Sequence, residues 1–211
     1  MTRLRTAFTM ALVCLAAGAG RAEAQEIGFR GFAEVGSTRF SASESFDAVL
    51  GTHSGVVFGG GGEVVFDRIF IGVRASRFQK DGTRVFVSGG EVFDLGIPTT
   101  VKVVPVQLTG GYRFPVGDRF VPYAGGGIGW YRYSETSDFA ADDENVSETN
   151  TGYHLLGGAE VRLGELFGIA GEVEWSRVQD ALGQNPTSVA AAFDENDLGG
   201  VTFRVRFVVG R

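Results

Sequence analysis

The stretch Val201-Thr202-Phe203-Arg204-Val205-Arg206-Phe207-Val208-Val209 places Val201, Phe203, Val205, Phe207 and Val209 on one parity and Thr202, Arg204 and Arg206 on the other. Alternation with period two marks a β-strand with two unlike faces, because successive side chains point to opposite sides. One face of this strand is wholly apolar and the other carries two guanidinium groups. The two faces must therefore meet different surroundings.

The same pattern runs through the chain. In 27–35 the odd positions Ile27, Phe29, Gly31, Ala33 and Val35 oppose Gly28, Arg30, Phe32 and Glu34. In 54–66 the even positions include Val56, Phe58, Val64 and Phe66. In 69–77 Ile69, Ile71, Val73 and Ala75 oppose Gly72, Arg74 and Ser76. In 104–114 Val104, Val106, Leu108, Gly110, Tyr112 and Phe114 oppose Gln107, Thr109 and Arg113. In 153–163 Tyr153, Leu155, Gly157, Ala159, Val161 and Leu163 oppose His154, Glu160 and Arg162. In 167–175 Phe167, Ile169, Gly171, Val173 and Trp175 oppose Glu172 and Glu174. Segment 120–133 is glycine-rich and aromatic on both parities, so its faces stay unassigned. Eight strands result, and no stretch after the N-terminal segment approaches 18 continuous apolar residues.

The connections alternate in length. Asp67-Arg68, 115–119 and 164–166 are short; 41–54, 79–100, 134–150 and 178–198 are long and polar. The second long one holds Arg84-Val85-Phe86-Val87 and Val92-Phe93, which predicts a hairpin projecting beyond the barrel. Short turns on one rim and long loops on the other are the pattern of a transmembrane barrel. Aromatics gather at both strand ends. Phe66, Phe114, Phe120, Tyr123, Phe167 and Phe207 lie near the short turns, and Phe78, Trp130, Tyr131, Tyr133, Tyr153 and Trp175 near the long loops. Two such belts match two membrane interfaces, although β-propensity alone also enriches aromatics in strands.

The chain has 211 residues, a net charge of −6 and 33 glycines without a collagen period. Acidity disfavours a nucleic-acid partner. One Cys and two His leave no basis for a zinc or disulfide framework. Arg3 and Arg5, the apolar run 7–20 and Ala22-Glu23-Ala24 predict a signal peptide over 1–24, cleaved between Ala24 and Gln25. Cys14 lies in that run after Val13, which argues against a lipoprotein, and 25–211 is free of Cys. Of the 19 basic residues only Lys80 and Lys102 are lysine. Arginine satisfies buried carboxylates better than lysine does, while an arginine-favouring codon bias gives the same count. On the polar parity Arg74, Arg113, Arg162, Arg204 and Arg206 share a face with Glu63, Glu160, Glu172 and Glu174. A lumenal ion-pair network of these nine residues is expected, since an eight-stranded interior is just wide enough for side chains to fill.

With the stretch 120–133 (FVPYAGGGIGWYRY) added, the chain resembles the small outer-membrane β-barrel proteins of the OmpA/OmpX and opacity-protein type. The resemblance covers nearly all of 25–211. It implies an all-β, antiparallel up-and-down transmembrane barrel of eight strands, with short periplasmic turns and long extracellular loops. It also implies location in the outer membrane, contact with its lipid and lipopolysaccharide, insertion by the barrel-assembly machinery and a monomeric state. The chain departs from the family at its end, Phe207-Val-Val-Gly-Arg211, which lacks the usual terminal aromatic. No peptidoglycan-binding domain is expected after the eighth strand.

Other motifs are weaker. Gly59 to Gly62 and Gly125-x-Gly127-x-Gly129 are not followed by the helix that a phosphate loop needs. Neither His53 nor His154 has Ser two residues on, the pair found in outer-membrane lipid deacylases. Glu135, Asp138, Asp142, Asp143, Glu144 and Glu148 make an acidic loop without the Asp-x-Asp-x-Asp-Gly pattern, so a solvated loop is expected before a Ca²⁺ site. The expected function is non-enzymatic and without cofactor: envelope integrity or surface interaction through the long loops, with no ligand named. A narrow gated channel, an outer-membrane lipid-modifying enzyme and a soluble periplasmic lipocalin-like barrel are the alternatives.

Overall fold

The computed structural model of the chain describes residues 27–88, 91–137, 139, 145–184 and 188–210. The expected signal segment 1–24, with its cleavage point at Ala24 and Gln25, lies outside the described residues, as do Asp138, Asp142, Asp143 and Glu144.

Eight strands, each antiparallel to the next, close on themselves: β1 (Ile27–Phe40), β2 (Ser54–Phe66), β3 (Ile69–Ser88), β4 (Glu91–Arg113), β5 (Phe120–Thr136), β6 (Val146–Arg162), β7 (Phe167–Arg177) and β8 (Gly200–Gly210). The seam is formed by β1 and β8, in register from Arg30↔Gly210 to Phe40↔Gly200. Closure leaves no unpaired strand edge in hydrocarbon, where an unsatisfied peptide group would cost several kcal/mol.

The apolar parity faces outward. Phe29 is 69% exposed, Val73 54% and Phe203 60%, while Glu34, Arg74, Glu172 and Arg204 are buried inside. This is the reverse of a water-soluble barrel and the arrangement of a barrel whose apolar face is turned to hydrocarbon. Pairing with β4 also settles the faces of β5: Phe120, Ala124, Ile128 and Trp130 point out, and Val121, Tyr123 and Tyr131 point in. The glycine runs are plain strand. Gly61 lies opposite Phe32, and a Cβ there would sit 2.1 Å from the Val73 carbonyl oxygen and 2.7 Å from the Phe32 ring. At the β2–β3 turn Asp67 adopts a left-handed φ of 54°, which aspartate tolerates.

The aromatic belts need correction. Phe66, Phe114, Phe120, Phe167 and Phe207 are exposed at the short-turn rim, and Trp130, Tyr153 and Trp175 form the outer belt. Tyr153 and Trp175 meet edge to face at 5.7 Å. Phe78, Tyr123 and Tyr131 are instead buried, and Tyr133 packs against the interior cluster. Their parity is that of the lumen.

The second outer connection is the expected hairpin, and strand pairing extends through nearly all of it. β3 and β4 stay paired to Ser88↔Glu91 through a register shift at Arg84/Val85. β2 leaves β3 at Val57↔Phe78, and β6 parts from β7 at Tyr153↔Arg177. Above that level β3, β4, β5 and β6 continue as a four-stranded sheet. The first and last outer connections fold back against it. They carry α1 (Ser43–Leu50) and the short α2 (Val189–Ala192). The carboxylate of Glu195 accepts hydrogen bonds from the Glu44 and Ser45 amides at 3.0 and 2.8 Å and from the Ser45 hydroxyl at 2.6 Å. A carboxylate from the last connection thus caps the helix of the first.

Val173 lies mid-strand on the apolar face, between Gly157 and Phe203. Val173→Arg should lower the unfolding free energy in lipid vesicles by about 2–4 kcal/mol, whereas Leu163→Arg at the rim should cost about 0–1 kcal/mol. Equal, negligible costs at both positions would place this face in water.

Candidate functional site

Strand alternation delivers five arginines and five glutamates to the lumen: Arg30, Arg74, Arg113, Arg204 and Arg206 with Glu34, Glu63, Glu160, Glu172 and Glu174. Near the short turns Arg30 donates to Glu63 at 2.9 Å and to Glu160 at 2.5 Å, and Arg113 donates to Glu160 at 2.8 Å. Arg206 links this layer to the next, donating to Glu63 at 3.0 Å and to Glu172 at 3.2 Å. Its guanidinium also stacks 3.8 Å from the centroid of the Phe32 ring.

In the upper layer Glu172 accepts from Arg74 at 2.6 Å, Arg204 at 3.2 Å and the Tyr123 hydroxyl at 3.0 Å. Glu174 accepts from Arg74 at 2.8 Å, Arg204 at 2.9 Å and the Gln107 amide at 2.9 Å. The same amide donates to the Tyr131 hydroxyl at 2.9 Å. Glu34 lies 3.1 Å from Arg74 Nε without hydrogen-bond alignment, so that contact is Coulombic. A guanidinium offers five donors in a planar fork, which lets one arginine bridge several carboxylates.

Eight of the nine residues expected in the lumen network meet there. Arg162 does not. It has the inward parity, but it is exposed beyond Glu160 at the short-turn rim, and no ion pair joins it among the described residues. Glu160 is already met by Arg30 and Arg113. Sequence reasoning left out Arg30, Glu34, Gln107, Tyr123 and Tyr131. The first two could have been found by parity, since they alternate with Phe29 and Val35. Tyr123 could not, because its strand is aromatic on both faces.

Packing closes the lumen. The free volume among Phe32, Arg74, Thr109, Glu172 and Arg206 is only about 10 Å³, which is room for about one water. Above it a void of about 40 Å³ separates Glu174 and Arg204 from an apolar cap of Phe40, Phe46, Phe78, Val103, Tyr131 and Leu198 that closes the bore. Phe40 stacks on Phe46 at 4.2 Å and meets Phe78 edge-on at 4.9 Å. Below it a vestibule of about 760 Å³, lined by Arg30, Arg113, Glu160 and Arg162, opens at the short-turn end.

The two histidines are apart. His154 Nε2 bonds the Thr109 hydroxyl at 2.8 Å inside the barrel, and His53 Nδ1 meets Asp47 at 2.9 Å beside α1. Glu135 of the acidic segment bonds the Tyr133 hydroxyl at 3.2 Å. No cluster of three or more His, Cys, Asp or Glu that could hold a metal ion occurs among the described residues.

Residues 8–208 match the family model of the outer membrane protein beta-barrel domain. No curated protein matches the chain. Among solved structures the fold is similar to Neisserial surface protein A, with 11% identity over 87% of this chain and 96% of that one and a TM-score of 0.57. The N-terminal barrel of OprF from Pseudomonas aeruginosa matches with 11% identity over 87% and 97% of the two chains, at a TM-score of 0.49. Ail of Yersinia pestis, in complex with the heparin analogue sucrose octasulfate, matches with 13% identity over 88% and 98%, at 0.48. At these identities the likeness is one of fold.

Removing one partner from a buried ion-pair network strands its counter-charges. Glu172→Ala leaves Arg74, Arg204 and Arg206 short of a carboxylate. It should cost about 3–5 kcal/mol in equilibrium unfolding. Arg162→Ala should stay within about 0.5 kcal/mol of the parent. Equal effects of the two would refute the assigned network.

Proposed function

The chain belongs to the outer membrane protein beta-barrel domain family, and from that premise we propose that it is a non-enzymatic, non-conducting barrel that presents an ordered platform at the cell surface. Its role is envelope integrity or surface interaction through the outer segments. Its surroundings are outer-membrane lipid and lipopolysaccharide, it inserts through the barrel-assembly machinery, and it acts as a monomer.

The observation that carries this reading is the filled lumen. A solute crossing between strands that carry Arg74, Glu172 and Arg204 would have to part ion pairs of 2.6 to 3.2 Å. Breaking one buried pair costs about 3–5 kcal/mol, and the apolar cap stands above them. The non-enzymatic reading is favoured by burial. His154 and Thr109 share a hydrogen bond that a base and its nucleophile could make, but both are buried in the filled lumen, where no substrate reaches them.

Purified protein in a planar bilayer should give no steady single-channel current, and liposomes carrying it should not admit sugars. Lipopolysaccharide incubated with it should keep its acyl chains. Stable conductance steps would replace this reading with the narrow channel, and acyl release would replace it with an enzyme.

A further inference from the structure

Between the four-stranded outer sheet and the folded-back connections lies a cavity of about 370 Å³. That falls in the roughly 300–1,000 Å³ range of sites that hold a small organic ligand. Its walls are Phe46, Val49 and Leu50 of α1, Val101 of β4, and Leu182 and Ala190 of the last connection. Its charged groups and Tyr133 sit together on the sheet side, as Arg84, Glu135, Glu148 and Tyr133, while Ser45, Gln184 and Ser188 line the side of the connections.

A second, independent observation points to the same place. Leu95 lines the cavity and is 53% exposed. Phe93 lies two residues earlier on β4, beyond the register shift at Arg84/Val85, and its register partner is Phe86. Phe86 and Phe93 are 53% and 48% exposed. They lie well above the outer belt, where Trp130 pairs with Val106, so membrane lipid does not cover them. An apolar ramp on a water-facing hairpin tip costs solubility unless something occupies it.

We propose that this outer-mouth cavity binds a small, mainly apolar molecule carrying a neutral or cationic polar end. The apolar body enters between α1 and Val101 and lies against Leu95, with Phe93 and Phe86 extending the contact outward. The polar end meets Glu148, Glu135 and the Tyr133 hydroxyl. Burial, reinforced by the Glu135 carboxylate, pushes the pKa of that hydroxyl up, so it stays neutral, gives its proton to Glu135 and leaves its oxygen to accept from the ligand. Arg84 lies 3.9 Å from Glu135, so among the described lining residues two carboxylates accompany one guanidinium and an anionic end is disfavoured. The cap of Phe40, Phe46, Phe78 and Tyr131 forms the floor. The ligand is therefore held and released on the outer side and does not pass into the lumen. This goes beyond the platform reading, because a barrel without a ligand serves that reading equally well.

Size-matched probes test it: 1-naphthalenemethanol (neutral), 1-naphthylmethylammonium (cationic) and 1-naphthoate (anionic). Each is titrated into protein in lipid nanodiscs with ¹³C-labelled Leu and Val methyls. Saturable shifts are expected at Leu50, Val101 and Leu182, with the neutral and cationic probes binding at least about tenfold more tightly than the anion. The lipid-facing Leu155 and Val173 report simple partitioning and should move without saturation. Val49→Trp and Val189→Trp fill the cavity from opposite walls. Each should weaken binding about tenfold while leaving the Leu155 and Val173 signals in place. Shifts confined to Leu155 and Val173, tightest binding of the anion, or undiminished binding in both folded variants would overturn the proposal.

Discussion

A guanidinium inside an eight-stranded barrel has almost no water to solvate it, so every one must meet carboxylates. Strand alternation makes this unavoidable, because a strand that gives one face to lipid turns the other into the bore. The protein meets the constraint with five arginines and five glutamates in one connected network. The pairs come from residues far apart in sequence, such as Arg30 with Glu160 and Arg206 with Glu63. The network therefore stitches together strands that do not neighbour one another. Rigidity of the wall, filling of the bore and placement of the apolar cap all follow from it.

Much of this was legible in the sequence, and the failures share a cause. Strict alternation identified seven strand faces, because a lipid-facing face admits few exceptions. Segment 120–133 resisted because Tyr123, Tyr131 and Tyr133 turn a nominally polar face aromatic; only register against β4 resolves it. Parity reports face but not depth. Arg162 has the right face and sits too near the rim, while Phe78 was assigned to a belt by its depth although its parity pointed inward. Arg30 and Glu34 carried the correct signal and were readable.

The outer half was the least legible part. Asp81, Gly82 and Thr83 read as loop, yet they pair with Thr100, Thr99 and Pro98 in continuous sheet. Tertiary context overrode local composition there. No propensity signal alone gives α1, whose capping carboxylate comes from a residue 150 positions away. The outer connections thus form a folded layer whose floor is the barrel's own apolar cap.

The Glu195 contact also reports on closure of the barrel. Ser45 follows β1 and Glu195 precedes β8, and these two strands form the closing seam. Until that seam zips, the first and last segments of the chain belong to opposite edges of an open sheet. Pairing of β1 with β8 brings the α1 segment and Glu195 to the same side of the bore, so the capping of α1 depends on that seam being closed. The contact is in this sense a latch: it records that the cylinder has shut, and a barrel prised open along that seam would lose it.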